Sequence, residues 1–280
     1  MRRFGVLEVT LAALATAVVL GAVSSTESSP EARSAGGAWR LALPHERAKL
    51  AAALASFGTR KHEFYFTRAM YSSGGFGGFG RSWATDYPKG DQQFVAVLQR
   101  LIRELDTFGS DHAMRLDDPE LRRFPFLYAV EVGRMDLTDS EVRGLRDYLK
   151  AGGFLIVDDF WGTYEWMNFA ENITRVLPEY AIVDLPLTHP LFHIYYDIKE
   201  ILQVPYHGRG CSGGPYWEQD GYVPYVKAIF DDKGRMLVLI SWNSDLGDAW
   251  EWMELACYPL THSTYAAQLG ANTIIYAMSH

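Results

Sequence analysis

The sequence predicts an α/β protein, a mostly parallel sheet with helices on both faces and an antiparallel hairpin added to it. Three observations carry that expectation. Short apolar runs at Phe126–Val130 and Phe154–Val157 alternate with longer segments of helical periodicity, the pattern of β-α-β units around a buried sheet. A helix before the second run is framed by Thr138 and Glu141 at its start and by Gly152 and Gly153 at its end, a capping box and a glycine stop. Two later runs, Val223–Phe230 and Met236–Ile240, flank Asp231, Asp232, Lys233 and Gly234, which is hairpin turn chemistry.

At the N-terminus, Arg2 and Arg3 precede an apolar stretch from Val9 to Val23, and Ser- and Thr-rich sequence follows. A basic start, an apolar centre and small residues after it describe residues 1–24 as a secretory signal peptide or, if uncleaved, an N-terminal membrane anchor. The expected location is therefore periplasmic or extracellular, with membrane attachment in the anchored case. Residues 25–60 read as a Ser/Ala/Gly linker and a short helix from Pro44 to Phe57. Residues 61–280 read as a single α/β domain.

The formal net charge of −8 runs against the basic stripe that nucleic acid demands, so nucleic acid is not an expected partner. Aromatic residues reach 14%, many beside glycines; such rings line clefts or cover the rim of a core. Cys211 and Cys257 are the two cysteines. Two thiols can pair in an oxidising compartment, but their spacing does not show that they meet.

Within the domain, Phe64–Phe66 read as the first strand. A loop rich in glycine and aromatics runs to Gly90. Asp91 then reads as the cap of a helix with Phe94, Val97, Leu98, Leu101, Ile102 and Leu105 on one face. A helix around Trp166–Val176, a strand at Ala181–Val183 and a closing helix at Tyr265–Met278 complete the order. Gly75, Gly77 and Gly80 fit the dinucleotide glycine pattern, but no helix opens after them, so no nucleotide cofactor is inferred. Asn172, Ile173 and Thr174 form a glycosylation sequon.

In open α/β sheets, ligands bind beyond the carboxyl ends of the strands. That rule selects Asp158 and Asp159, with Trp161 in the same loop. Adjacent carboxylates suit acid–base catalysis or metal binding, and crowding raises one of their pKa values. Equally, one of them caps the next helix or pairs with an arginine. Arg68 and Tyr71 follow the first strand, with Trp83, Asp86 and Asp91 beyond. Arg68 suits bidentate binding of a carboxylate or phosphate, or it neutralises Asp158 or Asp159. Asn243, Asp245 and Asp248 have the spacing of oxygen ligands for a hard cation. More ordinarily, the same residues make a turn and a helix cap. No cofactor and no complete metal-ligand set follows from these residues.

Several blocks resemble a known family. These are Phe66-Thr67-Arg68, the helix, Gly-Gly and strand from Leu137 through Asp159, His189-Pro190, Asn243 through Asp248, and Gly270-Ala271-Asn272 with Tyr276-Ala277. Together they resemble the bacterial domain of unknown function 4159. The stretch from Leu137 through Asp159 also resembles class I glutamine-amidotransferase-like domains. The resemblance implies a flavodoxin-like three-layer sandwich from about residue 60 to the end, and no agreed reaction. No Cys stands at a strand-to-helix elbow, so glutamine hydrolysis by a thiolate is not expected. Two functions fit: an envelope domain binding a small molecule, saccharide or envelope protein, or a carboxylate- or metal-dependent hydrolase acting on saccharide or peptide.

Overall fold

The computed structural model describes residues 62–73 and 83–280. The expected signal or anchor, the linker, the Pro44–Phe57 helix and the Gly75–Gly80 loop lie outside the described residues. His62–His280 is one compact unit. No helix among the described residues is long and apolar enough to cross a membrane.

Seven strands form one sheet: β1 (Thr67–Met70), β2 (His112–Arg115), β3 (Phe126–Val130), β4 (Phe154–Asp158), β5 (Ile182–Asp184), β6 (Tyr225–Phe230) and β7 (Met236–Trp242). Their order is β2-β1-β3-β4-β7-β6-β5. The ladders joining β2, β1, β3, β4 and β7 are parallel, and β6 pairs antiparallel with both β7 and β5. The hairpin thus extends the parallel sheet at one edge. Its turn is fixed by Asp231, whose Oδ1 accepts from the Lys233 and Arg235 amides, both at 2.9 Å.

The six helices among the described residues are α1 (Lys89–Leu101), α2 (Asp139–Lys150), α3 (Gly162–Val176), α4 (His207–Ser212), α5 (Leu246–Glu251) and α6 (Leu260–Ser279). Successive strand residues point to opposite faces, and the core divides accordingly. Phe126, Tyr128 and Val130 of β3 and Phe154 and Ile156 of β4 pack with Phe94 and Leu98 of α1, Trp250 of α5 and Leu269 of α6. Leu127, Ala129, Leu155 and Val157 pack on the other face with Leu145 and Leu149 of α2 and Phe169 and Ile173 of α3. The result is a three-layer α/β sandwich with an antiparallel extension.

The capping box forms: the Thr138 hydroxyl accepts from the Glu141 amide at 3.3 Å, and Glu141 Oε2 accepts from the Thr138 amide at 2.9 Å. Gly152, at φ 116°, ends α2 in a conformation that a side chain resists. Three expectations shift. The first strand is Thr67–Met70 rather than Phe64–Phe66; Phe64 makes one isolated bridge to Thr107, and both phenylalanines are buried in the core. Strand β2 was not expected, because His-Ala-Met-Arg at a half-exposed edge has no apolar run. Helix α1 begins at Lys89, with Asp91 inside its first turn rather than capping it. The sequon is closed: Asn172 is buried, and its amide bonds the Leu137 N–H and the Met135 carbonyl.

Candidate functional site

The strand order reverses at β1. From β1 the chain passes to β2 on one side and then to β3 on the other, which opens a crevice beyond the strand ends. The residues directly after β3, β4 and β7 are Glu131, Asp159 and Asn243, and all three are left-handed, at φ 53°, 51° and 60°. Asp86, before α1, is left-handed at 62°. Non-glycine residues pay for that conformation, and such strain gathers where geometry serves a site. The turns are stitched together by backbone bonds: Glu131 N–H to Asp159 O, Asp159 N–H to Ser244 O, and Asn243 N–H to Phe160 O, at 3.0–3.1 Å.

The adjacent carboxylates Asp158 and Asp159 have different surroundings. Asp158 is wholly buried, and its Oδ2 accepts from the Leu246 amide at 2.7 Å, the Gly247 amide at 3.1 Å and the Tyr128 hydroxyl at 3.2 Å. It therefore fixes the start of α5. Burial pushes its pKa up to about 7 against the pull of those hydrogen bonds. Asp159 takes the Trp161 indole N–H at 3.0 Å on Oδ1. Trp161 is itself fully buried, so it positions Asp159 rather than walling an open cleft.

Arg68 is likewise fully buried. Its guanidinium forks onto both carboxylate oxygens of Asp91, donates to the Trp83 and Thr85 carbonyls at 3.3 and 3.0 Å, and lies 4.6 Å from the Tyr128 ring centre. The expected partners Asp158 and Asp159 are thus replaced by Asp91. Arg68 and Asp91 form an internal ion pair, which anchors the loop leading to Asp86. Trp83 contributes its carbonyl to that anchor and packs its ring near Tyr87. The buried Tyr71 hydroxyl donates to the Val130 carbonyl at 2.6 Å, which ties β1 to the end of β3.

Asn243 and Asp245 make the turn and cap that their spacing describes. Asn243 Oδ1 accepts from the Gly162 amide at 2.8 Å, and Asp245 Oδ1 accepts from the Asp248 amide at 2.7 Å. The same turn brings Asp245 to Asp86 and Asp159. One carboxylate oxygen from each of these three lies within 4.8 Å of the others, and Asp86, Asp248 and Glu251 form a second group of equal closeness. Asp86 is partly buried as a residue, but its Oδ2 exposes less than 1 Å² and has no hydrogen-bond partner among the described residues. Burial, with Asp248 and Asp159 adding to it, raises the Asp86 pKa well above the usual carboxylate range. Burial raises Asp245 too, reinforced by Asp159, Asp248 and Asp86. Hard divalent cations take such oxygens.

Lys89 lies 3.9 Å from Glu251, and the His207 ring nitrogen lies 3.0 Å from Asp248. Glu251, Tyr128 and His207 were not among the sequence candidates. The signal for Glu251 was its position three residues after Asp248, on the same helical face. An open groove of about 510 Å³ elsewhere, lined by Lys199, Leu260, Tyr265 and others, includes none of these carboxylates.

Fold and site together define a three-layer α/β domain with an acidic cluster at the carboxyl ends of its strands. Residues 66–278 match the profile described as Domain of unknown function (DUF4159), and the chain belongs to that family. No curated protein matches the chain.

Proposed function

We propose that this chain is a cell-envelope ligand-binding domain whose ligand is, or is held through, a hard divalent cation among Asp86, Asp159 and Asp245. One observation carries this reading. Three carboxylates from three separate segments converge within 4.8 Å, and among the described residues no donor satisfies the Asp86 oxygen sealed from solvent. A buried carboxylate oxygen without a partner is costly, and a cation removes the cost. The N-terminal pattern and the Cys211–Cys257 disulfide support an oxidising location outside the cytoplasm. The strand order with its switch at β1 supports an amidotransferase-like relationship, while both cysteines are engaged in the disulfide, leaving no thiolate for glutamine hydrolysis.

A second reading, a carboxylate- or metal-dependent hydrolase, is favoured by the raised Asp86 beside neighbouring carboxylates, an arrangement that suits general acid–base work. Both readings share one test. The full chain is melted at mildly alkaline pH with chelator, then with Mg²⁺, Ca²⁺ or Mn²⁺. A cation at a hundredfold excess over its Kd adds about 2.7 kcal/mol, a rise of roughly 5–10 °C for a domain of this size. The rise should vanish in Asp245→Asn. A midpoint that none of the three cations moves sinks the proposal.

A further inference from the structure

Two nitrogen groups stand where the buried carboxylates give way to solvent. Asp159 and Asp245 are buried, whereas the side chains of Lys89 and His207 are half exposed. Both pack on Trp252. The Lys89 ammonium lies 3.5 Å from the centre of that ring system, and the His207 ring lies 4.5 Å from it, tilted by 32°. A cation over an indole face is held there by the ring quadrupole.

Asp248 organises this rim. Its Oδ2 accepts from the His207 amide at 2.6 Å and faces ring Nδ1 at 3.0 Å, and its Oδ1 accepts from the Trp252 indole N–H at 3.2 Å. His207 is thereby fixed with Nε2 left for another partner. Lys89 also has donors in reserve. Its ion pair with Glu251, at 3.9 Å, is longer than a hydrogen bond.

Asp86, Asp159 and Asp245 offer one oxygen each. An octahedral cation such as Mg²⁺ takes six, and it commonly completes its shell with water and the phosphate of a ligand. A carboxylate ligand calls for the fork of an arginine, but Arg68 is spent on Asp91. Separate point donors such as lysine suit phosphate.

From the pinned Lys89 ammonium and the fixed His207 ring beside the cluster, we infer that the ligand carries a phosphoryl group, bound jointly by the cation, Lys89 and His207 Nε2. This rests on the cation-binding reading above and adds the class of ligand. Without the cation the carboxylates repel a phosphate, so the two bind cooperatively, each raising the affinity of the other by the same factor.

Inorganic phosphate is the probe. The full chain is dialysed to equilibrium with radiolabelled phosphate at mildly alkaline pH, in Mg²⁺ and in chelator, and Mg²⁺ affinity is read separately from the melting midpoint. Phosphate should bind in Mg²⁺ and weaken roughly tenfold or more in chelator. Lys89→Met should weaken phosphate about tenfold and leave Mg²⁺ affinity unchanged or tighter, because the lost charge repelled the cation. His207→Gln should weaken phosphate alone. A merely structural Lys89 would move both affinities together or neither. Circular dichroism and the midpoint in chelator identify any variant that fails to fold, and phosphate binding to the parent chain decides the matter without variants. Mg²⁺ bound without phosphate, or phosphate bound equally well in chelator, overturns this inference and leaves the cation reading standing. No binding of Mg²⁺ overturns this inference, and no binding of Mg²⁺, Ca²⁺ or Mn²⁺ overturns both.

Discussion

Asp158→Asn separates the cost of a buried charge from the value of its hydrogen bonds. Asp158 Oδ2 takes three donors, while Oδ1 has no hydrogen-bond partner among the described residues. An asparagine that keeps its carbonyl oxygen toward those donors preserves the anchor of α5 and removes the charge. Burial moves the group from an ordinary 3.8 to about 7. A carboxylate raised in the folded state stabilises the fold when protonated. That contribution is complete below the unfolded pKa and is lost as pH rises through the folded one. Between about pH 5 and pH 8, a group with those two pKa values removes about 2.6 kcal/mol of stability. The parent midpoint should therefore fall by roughly 5–10 °C more than that of Asp158→Asn over the same interval. Thermal melts in chelator at the two pH values measure the difference. The absolute stability of the variant is free to move, because the new amide group brings its own unpartnered N–H; only the slope is diagnostic. Equal slopes in parent and variant would refute an Asp158 that ionises near neutrality.

Two further outcomes test the supports of the site. Arg68→Met leaves Asp91 as a buried, unpaired carboxylate and should cost about 3–5 kcal/mol; urea unfolding reads it, and a loss under about 1 kcal/mol would mean that Asp91 finds another partner. Replacing Cys211 and Cys257 together by serine opens a loop closed across 46 positions, worth about 4 kcal/mol on loop entropy. A reducing agent should lower the parent toward this variant and leave the variant unchanged.

The parts of the fold legible in the sequence are those in which local and long-range demands agree. Thr138 and Glu141 form the capping box within four residues of chain, and the apolar runs of β3 and β4 are buried on both faces wherever neighbouring strands fall. Strand β2 was illegible because an edge strand needs only one neighbour, and His112–Arg115 takes its place by pairing with β1. Among the site candidates, the strand-end rule found Asp159, Asp245, Asp248 and Asp86, which converge. It also found Arg68, Asp91 and Asp158, which are consumed inside the fold. Residue type and spacing do not separate these groups. The separation depends on which face of the strand end each side chain leaves, and on which donors the loops bring to it.

The contrast between Asp158 and Asp159 shows how one dipeptide serves both ends. Asp158 is the last residue of β4 and remains in the sheet, wholly buried, where its carboxylate collects the amides that open α5. Asp159 has left the strand in a left-handed turn, and its carboxylate joins Asp86 and Asp245. The strained backbone at Asp159 changes the direction of the chain between two otherwise equivalent carboxylates. Asp158 places the helix that carries Asp248 and Glu251, and Asp159 completes the other half of the cluster. Their substitutions should dissociate accordingly. Asp158→Asn should flatten the pH dependence of stability while retaining Mn²⁺, whereas Asp159→Asn should weaken Mn²⁺ binding and leave the Asp158 titration in place. Loss of Mn²⁺ from both variants alike would mean that α5 is not held by the Oδ2 bonds alone, and that the negative charge of Asp158 belongs to the cation site as well.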